Sequence, residues 1–560
     1  MGPRYHRAVA AAGYPISPGR PGWLYGAGAD LLIGAGAGYL LSVPILIALS
    51  RRFALEEWPL AVTLALGLAL STPHYGATLL RVYERREDRQ RYRLFGTWAS
   101  AAIAALFVWG LTRQSVASLL VTLYFCWSPW HFAGQNYGLS LMFLRRRGVA
   151  IPDAAKRALY LAYVGTFLLS LLVFQTQDSS ATFAPDLVSS GRGYDVLRLG
   201  IPMAWTRQLA PALLAGCALG FAVAGLRLRR AGASTGDLAP ALLLALTQSL
   251  WFALPASFAA MGRPVEGLAF TAVWASIAHS AQYLWVTSYY ARRAGSGQRL
   301  TSFYAKALLA GSLLSVIPGL AFGPAGLSIR PWSGGLAILI FACINLHHFV
   351  LDGAVWKLRD GRVARLLLRD AEGAADDSLP RSRLRHAIWA LGLAGLAIPL
   401  TELWSVRALD SLDLARVETA ARHLAWIGRE RTAVLGTLGD LYAGRNQRAG
   451  ALSAYRGALA VRRDPTVLNN LAWFLAVRGE RADADEAIAL AEEALAQFGA
   501  EDAGGLDTLA AAYAAAGRTN AAVATAERAL RIASASDPDL AGGIRQRLAL
   551  YRSGRPYREP

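Results

Sequence analysis

Residues 59–80 read PLAVTLALGLALSTPHYGATLL, a run without one Asp, Glu, Lys or Arg. A run of about 20 such residues is long enough for a helix to cross the apolar core of a bilayer. Leu94–Leu111 and Ile388–Leu400 are likewise uncharged, and the 560-residue chain is 54% hydrophobic with 17% charged residues. Soluble chains carry about 25% charged residues. Backbone amides in lipid are satisfied only in helices or closed barrels, and the period-two alternation of barrel strands is missing. The expected fold is all-α: a polytopic membrane helix bundle of about 11 spans, at 29–50, 58–80, 94–112, 115–144, 157–175, 209–226, 238–260, 266–290, 303–323, 333–352 and 386–404. The first span has no small-residue cleavage site after it and reads as a signal anchor. Its Gly34-Ala35-Gly36-Ala37-Gly38 follows no strand, so it reads as close helix packing and not as a dinucleotide turn.

The net charge of +19 sits in short clusters between apolar runs, such as Arg145–Arg147, Arg227 with Arg229 and Arg230, and Arg292–Arg293. That is the pattern of cytoplasmic loops. It lacks the basic face interleaved with aromatics that nucleic acid needs, so no nucleic-acid partner is expected. Base-rich loops at 1–20, 81–93, 145–157, 227–230, 292–306 and 357–385 alternate with base-poor ones. This predicts a cytoplasmic N-terminus and, after eleven crossings, a C-terminus on the periplasmic side. Arg far outnumbers Lys, which occurs only at Lys156, Lys306 and Lys357. With the abundant Ala this suggests a GC-rich bacterium and its cytoplasmic (inner) membrane. Cys126, Cys217 and Cys343 lie in apolar runs without CxxC spacing and read as small buried hydrophobes.

Beyond Trp404 the apolar runs stop and Ala-rich amphipathic segments begin. Leu438-Gly439, Tyr442, Tyr455, Ala458-Leu459 and Pro465 form one unit. Leu471-Ala472, Leu475, Gly479 and Ala494-Leu495 form a second, and Leu509-Ala510, Tyr513, Gly517, Ala522, Ala529-Leu530 and Pro538 a third. A period of 34–38 residues marks stacked helix pairs. The segment resembles the tetratricopeptide repeat, with an insertion near Arg481–Asp485 and without that family's early Trp. The resemblance implies a protein or peptide partner along a concave face. The expected organisation is a cytoplasmic segment (1–28), a multi-span membrane domain (29–404), a linker helix (405–429), a tetratricopeptide-like repeat domain (430–545) and a basic tail (546–560).

Chemistry inside a bilayer is expected where polar side chains stand in lipid at a cost. Five of the eight histidines fall in predicted spans: His74, His131, His279, His347 and His348; His6, His386 and His423 read as solvated. The five precede their basic clusters by seven to fourteen residues, which at ~1.5 Å per residue places them about 10–20 Å deep on the cytoplasmic side. Gln135 follows His131 by four and Gln282 follows His279 by three. Asn345 precedes His348 by three, and Asp352 follows it by four. Asp30 lies at comparable depth. Imidazoles backed by carboxamides and carboxylates are what a metal site uses, and imidazole suits iron, copper or zinc. His347 and His348 are adjacent and point ~100° apart. An interhelical hydrogen-bond role and a proton path use the same residue types.

Three phrases carry a further resemblance: Pro73-His74-Tyr75-Gly76-Ala77-Thr78-Leu79-Leu80-Arg81, Trp130-His131-Phe132-Ala133-Gly134-Gln135 and His347-His348-Phe349-Val350-Leu351-Asp352-Gly353. The membrane half resembles the all-helical membrane oxygenases that cleave β-carotene, the bacteriorhodopsin-related-protein class. The resemblance implies a non-haem iron at His74, His131, His279 and His347 or His348. This chain has more spans, another histidine layout and an added repeat domain. The leading expectation is a metal-dependent oxidoreductase acting on a lipophilic substrate, with iron or another transition metal. Two alternatives stand beside it: a lipid-linked glycosyltransferase using Glu56 and Glu57, and a non-enzymatic assembly factor or transporter with its partner site on the repeats. No phosphate-binding loop, HExxH or serine elbow occurs.

Overall fold

The computed structural model of the chain describes residues 22–52, 60–176, 194–262, 268–294, 299–323, 326–329, 335–356, 361–368, 383–429 and 431–559. It is helical throughout, with no β-strand among the described residues and a single isolated bridge, Thr176 to Ile201. Two compact units divide the chain, Met1–Pro399 and Leu400–Pro560. The division falls inside the helix Arg383–Asp410.

In the first unit a helix covers each of the eleven apolar stretches. Seven of these helices are long and apolar enough to cross a membrane, or eight if the bent pair Ala27–Gly34 and Ala37–Leu49 is one span. The remaining three are the helices that carry His74, His131 and His279. Their shortfall has a physical cause: the polar side chains gathered for the site dilute the apolar run. The bend of 56° in the first pair falls at Gly36, whose φ of +83° is left-handed backbone that glycine adopts without a Cβ penalty. Its Cβ position would also meet the Thr247 hydroxyl at 2.3 Å. The close packing expected at Gly34–Gly38 is present, with the Gly34 Cβ position 2.6 Å from the Trp285 ring, and it comes with a break in the helix.

Two local features aim the site residues. A π-helical turn at Gly67–Ser71 precedes Thr72–Tyr83 and rephases it, as such turns often do at functional sites. Gly76 and Gly311 then let this helix touch Leu300–Phe322 backbone to backbone: a Cβ on either would lie 1.7 or 1.8 Å from a carbonyl oxygen. Gln114–Arg146 runs unbroken through Pro129.

The second unit is a stack of antiparallel helix pairs, Thr432–Gly444 with Arg448–Val461, Pro465–Arg478 with Ala484–Phe498, and Ala503–Ala515 with Thr519–Ser536, closed by Pro538–Arg552. Gly439 lets the first pair close, its Cβ position lying 2.3 Å from the Tyr455 ring. Asp464 and Asp502 cap the first helices of the second and third pairs, and Asp537 caps the closing helix, each by accepting from backbone N–H groups. The stretch expected to be a linker, 405–429, contains the helix Leu414–Trp426, which buries Val417, Ala420 and Leu424 and packs on Thr432–Gly444. The expected basic tail is helical to Arg552, and its end folds back onto the stack.

Candidate metal centre

Four imidazoles from four helices close into a ring. Centroids lie 4.3 Å apart for His74–His348, 4.9 Å for His348–His131, 5.0 Å for His131–His279 and 5.1 Å for His279–His74. His348 is the hub: its Nε2 lies 2.9 Å from His74 Nε2 and 3.2 Å from His131 Nε2. Two nitrogens each ~2.0–2.1 Å from one shared ion stand about 3 Å apart, so these separations suit ligands of a common centre as well as imidazole–imidazole hydrogen bonds. Asp352 Oδ2 approaches the same point, 3.8 Å from His348 Nε2 and 3.9 Å from His131 Nε2. The nitrogens of His74, His279 and His348, and the donor atoms of His131, His348 and Asp352, form two overlapping groups that can hold a metal ion.

The hydrogen bonds around the ring leave it short of partners. Both ring nitrogens of His279 and the Nδ1 of His74 are buried without a hydrogen bond. A neutral imidazole carries one donor and one acceptor, and an unsatisfied buried group costs about 1–3 kcal/mol. A cation accepting the lone pairs removes part of that cost, so the donor set fits a metal. His279 is held flat instead by stacking on Phe132, at 3.9 Å and 11°.

The polar groups behind the ring form a connected chain. His348 Nδ1 lies 3.0 Å from the Thr78 hydroxyl, which lies 2.6 Å from the Tyr283 hydroxyl. Tyr283 donates to Asp352 Oδ1 at 2.5 Å and accepts from the Trp356 indole N–H at 3.0 Å. With the Tyr283 proton on this bond, Thr78 can donate to Tyr283 and accept from His348 Nδ1–H. That donor order leaves the His348 Nε2 lone pair facing His74 and His131. Ligating histidines are commonly oriented by their second nitrogen in this way.

A cavity of about 300 Å³ opens onto His131, Tyr283 and Asp352. Trp127, Trp130, Phe349 and Trp356 wall it, and Gly134, Gly138 and Gly353 line it with no heavy atom within 4 Å of their Cβ positions. An apolar chamber with polar groups at one end is the usual form of a small-molecule site.

Among the residues singled out in the sequence, His74, His131, His279, His348 and Asp352 come together. His347 does not: one residue on from the hub, it points to another helix, and its Nε2 meets Ser100 Oγ at 2.8 Å. Asp30 is also elsewhere, accepting from the Leu24 and Tyr25 amides and from Trp285 Nε1. Gln135 donates to Gln282 Oε1 at 3.1 Å and to the His279 carbonyl at 3.5 Å, while Gln282 donates to the Gly34 carbonyl at 3.3 Å. The two carboxamides therefore pin helices and do not touch the rings. Asn345 accepts from Tyr75, whose ring packs edge-on to His74 and His348. Glu56 and Glu57 lie outside the described residues, as do His6 and Lys357.

Sequence reasoning missed Thr78, Tyr283 and Trp356. A signal existed: Thr78 is four residues after His74 and Tyr283 four after His279, the spacing already noticed at Gln135 and Asp352. No protein-family model, curated protein or solved structure matches the chain.

Proposed function

We propose that the first unit is a membrane-embedded, metal-dependent oxidoreductase acting on a lipophilic substrate. The observation that carries this reading is the convergence of four imidazoles, three of them buried, and one buried carboxylate beside an aromatic-walled cavity. His74, His131, His279 and His348 would hold the ion, with Asp352 as a fifth donor or as the carboxylate that fixes their charge. Iron, or another transition metal that imidazole favours, would supply one-electron chemistry in a site shielded from water. The residues of the chain do the rest. The Thr78–Tyr283–Asp352 network fixes the tautomer and orientation of His348, and the tryptophan walls exclude water and receive an apolar molecule. In this reading all eleven helices of the first unit cross a bacterial inner membrane, the three polar ones shielded by the others. The histidines lie toward the cytoplasmic side, and the tetratricopeptide-like second unit stands in the periplasm. The loose resemblance of the His74, His131 and His348 phrases to the β-carotene-cleaving class supports the site type and leaves the substrate open.

The test is elemental analysis of the full chain purified in mild detergent without chelator. About one transition-metal ion per chain is expected, since the two possible ligand groups overlap at His348. It should be lost in His131→Ala and in His279→Ala while the thermal transition persists. Metal-free wild-type protein, or full metal retention in His348→Ala, overturns the proposal.

A further inference from the structure

Residues Tyr557–Glu559 of the second unit lie against it as a bound peptide would. After the helix Pro538–Arg552 the chain turns at Gly554, with φ +73°, and Tyr557–Glu559 runs without regular structure across to the helix Pro465–Arg478. This skips the intervening helix pair in sequence. The Glu559 carboxylate takes one donor on each oxygen, Trp473 Nε1 at 3.0 Å and Arg478 Nε at 2.9 Å. The Glu559 amide donates to the Val477 carbonyl at 3.3 Å, and Arg558 Nη1 donates to the Gly479 carbonyl at 2.6 Å. Tyr557 packs on the Trp473 ring at 6.1 Å. Arg547, fixed by Asp507 at 2.6 Å, stands over both rings.

This receptor surface is built from three helices: Trp473 and Arg478 from the first helix of the second pair, Asp507 from the first helix of the third, and Arg547 from the closing helix. Its parts are prearranged without the tail. Arg478 is anchored by Asn446 Oδ1 at 2.6 Å and the Ala443 carbonyl at 2.5 Å, and Arg547 by Asp507. What the tail adds is one aromatic ring and, two residues on, one carboxylate. Aromatic anchors with a charged partner are how peptide grooves gain both affinity and selectivity.

We propose that Tyr557–Glu559 is a built-in occupant of a peptide-docking groove. Its external partner is a protein segment with an aromatic residue followed two positions later by an acidic one, which binds by displacing the tail. The tether gives the tail an effective concentration in the millimolar range, so the partner must compete against it. This inference stands apart from the metal site and does not depend on it.

The experiment uses the full chain in detergent and two fluorescent, C-terminally amidated peptides. One has the tail's own sequence, SGRPYRE; the other, GSFSEGSG, carries aromatic-x-acid in a neutral frame. Anisotropy titrations compare wild type with Tyr557→Ala/Glu559→Gln. The double variant is expected to bind both peptides at least about tenfold more tightly, because the tethered competitor is gone. Glu→Gln in either peptide, or Arg478→Ala in the protein, should remove the binding. Equal, weak binding by wild type and variant, with hydrogen exchange of 465–498 unchanged, overturns the proposal and makes the tail a permanent staple. Binding of the tail peptide alone overturns the partner assignment. Should the double variant loosen the helix Pro465–Arg478, Glu559→Gln carries the test, because it keeps the Tyr557 packing and removes only the charge.

Discussion

The two units place their polar and apolar atoms in opposite ways. In the first, Leu41, Leu94, Leu219 and Leu393 are each more than 60% exposed, while His74, Asn136, Gln248, His279, Gln282, His348 and Asp352 are buried. In the second, the interior is almost wholly apolar, with Ala472, Ala491, Ala510, Ala526 and Leu468 at 0% exposure. Ion pairs such as Arg456–Glu486, Arg463–Glu493 and Arg518–Asp485 lie on the outside, with Arg547–Asp507 a buried exception. A chain folded by the hydrophobic effect hides its apolar atoms. A chain surrounded by lipid gains nothing from doing so and must instead satisfy its polar groups internally. The difference teaches where each unit stores its specificity: in small-residue helix packing for the second, and in an interior polar network for the first.

The largest expected effect tests the ordinary core of the second unit. Leu468→Ala should cost about 2–5 kcal/mol, because the side chain is fully buried among packed helices. Hydrogen exchange at residues 465–498 reads the loss. A cost below about 1 kcal/mol would mean that this interior is loosely packed and that the contrast drawn above is overstated. In the first unit the matching perturbation is polar. Thr78→Val keeps the volume and removes the hydroxyl that joins His348 to Tyr283. Loss of such a supporting partner typically weakens metal binding 10–100-fold, about 1.4–2.7 kcal/mol. Competition with a chelator measures it, and Thr78→Ser should restore the affinity. Unchanged affinity in Thr78→Val would show that the hydroxyl does not orient the hub.

How far the sequence reveals these arrangements differs between the units for the same reason. Apolar runs announce helices whatever surrounds them, so every stretch read as a span is a helix here. Three of the four helices that build the site are the ones least like ordinary spans, with His74 and Thr78, His131, and His279 and Tyr283 among their apolar residues; the fourth, Ala337–Val355, carries His348 and Asp352 and is still apolar enough to cross. Convergence at one depth was legible from spacing to the basic clusters. Which of two adjacent histidines faces inward was not, because that depends on how the helix Ala337–Val355 is rotated about its own axis, which spacing along the chain does not report. Asp30 misled for a related reason: depth along a helix says nothing of the face presented, and this carboxylate serves a local turn at Leu24–Tyr25. In the second unit the repeat period locates the helix pairs. The fold-back of Tyr557–Glu559 is invisible in sequence, because three residues carry no periodicity.

A smaller effect is expected at the helix starts of the second unit. Asp502 accepts from the Gly505 amide at 2.6 Å and opens the helix Ala503–Ala515. Asp502→Ala should cost about 1 kcal/mol, and Asp502→Ser should recover most of it. Circular dichroism melts of the paired variants check this. Equal loss in both would point to the carboxylate charge and not to capping.

The smallest effect belongs to the surface pair Arg463–Glu493, and it sharpens the contrast by its sign as well as its size. Hydrogen bonds from the Arg463 guanidinium hold the Glu493 carboxyl below the ordinary glutamate range. A lowered acid contributes stability that is complete above its unfolded value, near 4.5, and is lost as pH falls through the lowered one. Both side chains are well exposed, at 54% and 36%, so screening keeps the contribution below about 0.5 kcal/mol. Asp507 behaves oppositely: burial pushes its carboxyl up, outweighing the Arg547 guanidinium beside it. Its ionisation therefore opposes folding as pH rises from its unfolded value of 3.8 through the raised one. Glu493→Gln should lower stability slightly at pH 7 and progressively less as the pH falls below 4.5 through the lowered value, and added salt should erase the difference. A loss that does not shrink on acidification, or that resists salt, would mean the glutamate acts through packing and that the exterior of the second unit is less water-governed than its ion pairs suggest.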